Sequence, residues 1–184
     1  MELRVRFSRS RTACTVCLAN GGTSISTASP LPFSSHKRNA FVAIGDAHKR
    51  LKLISELKRH SFNVPRIIHP SAYVSKSAVV GEGSIIMANA VVQSNVKIGD
   101  GVIVNTSAVV DHDTSLMDGV HICPGVNLAG EVKIGYYSWV GIGSSIIQGV
   151  TIGSDVTIGA GSVVLKNVRD SVTAVGIPAS IINK

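Results

Sequence analysis

Cysteine is scarce in this chain, three residues in 184, and aromatic side chains make up only 4% of it. Three thiols do not make a disulfide framework in a chain of this size. Cys14 and Cys17 form a lone CxxC in a Gly/Ser/Thr-rich stretch. A metal or redox site would need a second pair or a supporting fold, so they read as unpaired thiols. The scattered aromatics offer no stacking platform for bases, and no apolar run approaches the roughly 20 residues that span a bilayer. Acidic groups are almost missing from residues 1–39, where Glu2 stands alone.

The formal charge of +7 invites a nucleic-acid partner, but its distribution argues against one. Residues 1–66 hold twelve Lys/Arg against three acids, whereas residues 67–168 hold four Lys, no Arg and seven acids. The organised part of the chain is therefore mildly acidic. Neither nucleic acid nor membrane is an expected partner. Residues 1–40 read as a basic, Ser/Arg-rich leader without fixed structure. Their composition fits an organelle transit peptide and a disordered leader equally well, and the expected location is the cytoplasm.

From Ile67 to Val168 the chain repeats every six residues without one insertion, through seventeen hexads. Position two is Ile, Val or Leu in all seventeen, and position six is Ala, Ser, Thr or Val in all seventeen. A period this short calls for stacked repeats that cannot bury their apolar faces singly. A β-branched strand and a small-residue turn every six positions give three flat sides per eighteen residues. Position two points inward, position six fits the corner, and the glycines at position three suit tight corners and close backbone approach. Five to six coils at about 4.8 Å each make a prism about 25–28 Å long.

Before the repeats, Phe41–Asp46 reads as a short buried strand, and Asp46 as the N-cap of a helix over residues 47–60. Leu51, Ile54 and Leu57 form its apolar side, and Lys49, Arg50, Lys52, Lys58 and Arg59 its solvated side. After the repeats, residues 169–184, with Gly176–Ala179 and an Ile-Ile pair, are expected to fold back along the last coils.

A filled prism leaves function to outward and corner positions. His112 takes a corner, position four of its hexad, between Asp111 and Asp113. A neighbouring carboxylate favours imidazolium and strengthens the ring as a proton acceptor. Gly130 lies eighteen residues on, one coil above the same corner, leaving its N–H uncovered beside the histidine. That is the geometry of an oxyanion donor next to a general base. His121 lies outward on the next side but one, about 15 Å from His112 in one chain, with Trp139 one coil above it. The two histidines cannot share a reacting atom within one prism, so the spacing points to a site between subunits. Cys123 reads as a small filler rather than a nucleophile.

The hexads resemble the hexapeptide-repeat, left-handed parallel β-helix family, which implies the hand of the coil. The strings FVAIGD, IIHPSAYVS, NTSAVVDHD from Asn105 to Asp113, HICPGVNLAGEVKIG, SWVGIGSSIIQGV and VGIPA are similar to the sugar O/N-acyltransferases of sialic acid and bacillosamine biosynthesis. This similarity runs from Phe41 to the C-terminus. It implies an all-β-dominated fold with a strand–helix remnant of an α/β sugar-nucleotide domain at residues 41–66, the β-helix at 67–168 and a tail at 169–184. It implies acetyl-CoA as co-substrate, no metal, a sugar acceptor and a homotrimer. His112 matches the general base and Asp113 its acidic neighbour, while Asn105 matches a residue lining the acceptor side. His121, Gly130, Ile142 and the backbone at Ala160 match the acetyl-CoA groove. Gly45 keeps part of the sugar-nucleotide contact, although no GxGGHG-like loop precedes it and most of the α/β domain is not recognisable. Two other readings stay open: a β-helix scaffold without turnover, and a γ-type carbonic anhydrase, whose close histidine pair is not matched by the spacing of His69, His112 and His121.

Overall fold

The computed structural model describes residues 39–182 together with two short strands, Arg6–Phe7 and Val16–Cys17, which pair antiparallel. The leader and its CxxC otherwise lie outside the described residues. The chain divides into two units, residues 1–65 and 66–184.

The first unit is built around α1, Ala47–Arg59. Asp46 caps it by accepting a hydrogen bond from the Lys49 amide at 2.9 Å, as a short acid at the N-cap should. Its buried face is Arg50, Leu53, Ile54 and Leu57, packed with Ala40, Val42 and Val64. Arg50 thereby corrects the expectation of a solvated basic row: it is only 1% exposed. Its guanidinium donates to the carbonyl oxygens of Ile44 at 2.8 Å and Gly45 at 2.7 Å, which offsets the cost of taking the cation out of water. Desolvation still holds its pKa down at about 10. Phe41–Asp46 forms no ladder either. The one bridge nearby joins Asn39 to Asn63, so Val42 is buried by packing rather than by strand pairing.

In the second unit every hexad contributes a two-residue strand at positions one and two, and each strand up to Ser145–Ile146 pairs in parallel with the one eighteen residues on, as Val109–Val110 does with Asn127–Leu128. Three stacked sheets result. The first runs from Tyr73–Val74 to Val163–Val164, the second from Val79–Val80 to Thr151–Ile152, and the third from Ile67–Ile68 to Thr157–Ile158. This is a parallel β-helix. The tail extends the third sheet: Thr173–Val175 pairs in parallel with Thr157–Ile158, and Ser180–Ile182 returns antiparallel.

Position two fills the interior, with Ile86, Val92, Val104, Val110, Ile122, Val140, Ile152 and Ile158 all fully buried. The first coil departs from this rule, because Ile68 has no strand beneath it and stays 39% exposed. Position six also points inward rather than marking the corner. Where it is polar, the hydroxyl is satisfied within the stack: Ser84 Oγ donates to Gly99 O and accepts from Val102 N, both at 2.8 Å. The corners fall at positions four and five. From Gly83 to Gly161 every position five has positive φ, whether glycine or, as at Asn89, Asn95, Ser107, Asp113, Glu131, Tyr137 and Asp155, another residue. Asn and Asp tolerate this conformation better than other non-glycine types. The position-three glycines serve close approach instead: a Cβ on Gly141 would lie 2.6 Å from the Ala160 amide nitrogen of the next coil.

Candidate active site

The corner between the first and second sheets carries His112. Its backbone is fixed by Asp111, whose Oδ1 accepts the His112 amide at 2.7 Å. Its ring is fixed by Asp113, whose Oδ2 lies 2.8 Å from Nδ1. A carboxylate only accepts, so Nδ1 carries the proton and the lone pair is on Nε2. Asp113 also accepts at Oδ1 from the Asn95 amide, 3.2 Å away and one coil below. The His112 pKa is raised, first by the Asp113 hydrogen bond and then by the charges of Asp111, Asp113 and Glu131. The Asp113 pKa is lowered by its bonds to His112 and Asn95. Both side chains are about half exposed, 51% and 49%.

Gly130 is stacked on this corner as its spacing predicts. A Cβ there would sit 2.6 Å from His112 Cε1 and 2.7 Å from Nε2. Its φ is not in the left-handed region, so glycine is needed for room and not for backbone freedom. The imidazole lies across it. Several corner amides are occupied, as Asp100 N is by Asp118 Oδ1 and Ser154 N by Asp170 Oδ1. The Gly130 amide makes no such bond among the described residues, although its carbonyl accepts from Gly149 N at 3.0 Å.

His121 stands elsewhere, on the third sheet. Its Nε2 is 3.3 Å from the Asn105 amide nitrogen, and Trp139 meets its ring edge-on at a centroid distance of 6.3 Å. Ile142 and Ala160 occupy successive coils of the corner that follows this sheet and are exposed there. Within one chain the sequence-expected residues therefore form two groups. His112, Asp113 and Gly130 share one corner. Asn105, His121, Ile142 and Ala160 share another flank, with a whole sheet between the groups on either route. Gly45 belongs to the first unit, where a Cβ would meet nothing within 4 Å.

Cys123 is 5% exposed, and burial pushes its thiol up to about 11, which suits a filler and not a nucleophile. Among the described residues no three His, Cys, Asp or Glu side chains group as metal ligands. No helix among them is long and apolar enough to cross a membrane. Asn95 was not singled out from sequence. Its signal is the eighteen-residue offset from Asp113.

Comparison with known proteins agrees with this architecture. Residues 77–112 match the family model described as bacterial transferase hexapeptide (six repeats). A serine acetyltransferase of Buchnera aphidicola is 49% identical over 45 residues, 24% of this chain and 16% of that protein. The chain spans less than a third of the length of the curated relatives it matches. Among solved structures the likeness is wider. A histidine-to-alanine mutant of GDP-perosamine N-acetyltransferase from Caulobacter crescentus, in complex with CoA and GDP-perosamine, is 44% identical, with a TM-score of 0.79 over 79% of this chain and 70% of that one. The acetyltransferase domain of PglB from Neisseria gonorrhoeae, in complex with acetyl coenzyme A, is 43% identical, with a TM-score of 0.79 over 82% of this chain and 73% of that one. The repeat architecture and these likenesses thus place the chain in the class of hexapeptide-repeat transferases. Within that class, the chain belongs to the family of sugar acyltransferases that includes these two structures.

Proposed function

We propose that the protein transfers an acetyl group from acetyl-CoA to an amino group, or a hydroxyl, of a nucleotide-linked sugar. The observation that carries this reading is the His112 corner: Nδ1 held by Asp113 at 2.8 Å, and Nε2 lying over Gly130. His112 Nε2 takes the proton of the acceptor nitrogen or oxygen as that atom attacks the thioester carbonyl. The new bond to carbon pushes the carbonyl electrons onto oxygen, and the Gly130 N–H stabilises that oxyanion. Collapse breaks the carbon–sulfur bond. The leaving thiolate, of ordinary pKa about 8.5, departs readily and takes the proton back from the imidazolium. Asp113 keeps Nδ1 as the donor throughout and stabilises the charged ring.

The other group of residues completes the site in a homotrimer. The separation of the two groups within one chain supports a seam where the His112 corner faces the His121 flank of a neighbour. There His121, Ile142 and the Ala160 backbone would border the acetyl-CoA chain, together with Gly130. Asn105 would line the acceptor side. The neighbours' complexes support a nucleoside-diphosphate amino sugar as the first acceptor to try.

The test is thiol release from acetyl-CoA across a panel of nucleotide-linked amino sugars and their hydroxyl counterparts. Acceptor-dependent release with at least one member supports the reading. Release with none, from protein that is folded and binds acetyl-CoA, would leave the scaffold as the better account.

A further inference from the structure

The fifth hexad position of the His112 corner stacks Ser77, Asn95 and Asp113 at intervals of eighteen residues, with Glu131 above them. The reaction proposed above uses neither Ser77 nor Asn95, yet the three lower members are linked. Ser77 Oγ accepts the Asn95 backbone N–H at 3.0 Å, and Asn95 Nδ2 donates to Asp113 Oδ1 at 3.2 Å. Asp113 Oδ2 then meets His112 Nδ1 at 2.8 Å.

We infer that Asn95 is a positioning residue that holds the Asp113 carboxylate in register with the His112 ring. A half-exposed carboxylate with a single partner exchanges that partner readily for water. Here the two oxygens are held from two sides, Oδ1 from the coil below and Oδ2 by the imidazole, which fixes the carboxylate plane. The residue type matters. Asn95 and Asp113 both have left-handed backbone, φ 59° and 58°, so glycine would satisfy the chain at either place. Asn also tolerates this backbone and carries a neutral amide that donates to the carboxylate one coil above. Three acids surround the imidazole, Asp111, Asp113 and Glu131. Asp113 is the one placed on Nδ1, and Asn95 keeps it there.

This inference rests on the proposed reaction for its kinetic readout only. Asn95→Gly removes the amide and keeps the left-handed backbone. With a turned-over acceptor, kcat should fall about three- to tenfold with both KM values unchanged. By NMR titration the His112 midpoint should move down toward that of Asp113→Asn. In the Asp113→Asn background, adding Asn95→Gly should change neither quantity further. Asn95→Asp, similar in shape and backbone preference, should also lower kcat, since a carboxylate cannot donate to Asp113. An unchanged kcat and midpoint in Asn95→Gly, or effects that multiply in the double variant, would overturn the inference. If no acceptor is turned over, the function reading fails, and the NMR midpoint still decides the role of Asn95.

Discussion

Nδ1 of His112 lies 2.8 Å from Oδ2 of Asp113, and the pair sits on a corner where the next coil stacks Gly130 over the imidazole. The working form of such a base is neutral. Because the His112 pKa is raised, foremost by the Asp113 hydrogen bond, the neutral fraction is lost as pH falls through a midpoint above the ordinary histidine value. The acid limb of kcat/KM should show that midpoint. Asp113→Asn should move it down and lower the plateau about tenfold or more, read from pH–rate profiles of the two proteins.

Gly130 leaves no room for a side chain beside the imidazole. Gly130→Ala would place a Cβ 2.6 Å from His112 Cε1, and the ring would have to swing off the corner. The backbone there accepts alanine, so thermal unfolding should change little. Steady-state kinetics should show kcat down about a hundredfold or more.

The β-helix interior is close-packed, and its side chains have no solvent to retreat to. Ile134→Ala, at a position 1% exposed, should cost about 2–5 kcal/mol of stability in denaturant titration. Ile147→Ala, at a position 38% exposed, should cost about 1 kcal/mol or less.

Cys123 lies two residues from His121 but is buried, with its thiol pushed up to about 11. Mass spectrometry after brief native treatment with a thiol reagent near neutral pH should find the Cys123 peptide unmodified. Cys123→Ala should retain acetyl transfer within about twofold. Ready modification, or loss of transfer in this variant, would reopen an acyl-thiol route.

The β-helix was legible because one physical requirement, an inward apolar residue on each face of each coil, recurs at a fixed spacing. The same arithmetic stacks Gly130 over His112 and Trp139 over His121. The fifth position is not marked in the sequence because its shared property is backbone conformation. Gly, Asn, Asp, Ser, Glu and Tyr all occupy it, and no residue type marks it. Asn95 carries no mark of its own for that reason. Arg50 differs for another reason: a cation on a 3.6-residue period looks solvated, and the carbonyls of Ile44 and Gly45, converging from a non-helical segment, help make its burial tolerable. The exposure of Ile68 follows from its place at an end of the stack, which a repeat pattern does not record.

The central claim is that His112 abstracts the acceptor proton, and its most direct measurement is acceptor-dependent thiol release by His112→Ala beside the unaltered protein. The account predicts a fall in kcat of about 10²- to 10⁴-fold, with acetyl-CoA binding by calorimetry unchanged. Transfer retained within a few-fold in His112→Ala, across the same pH range, would contradict it.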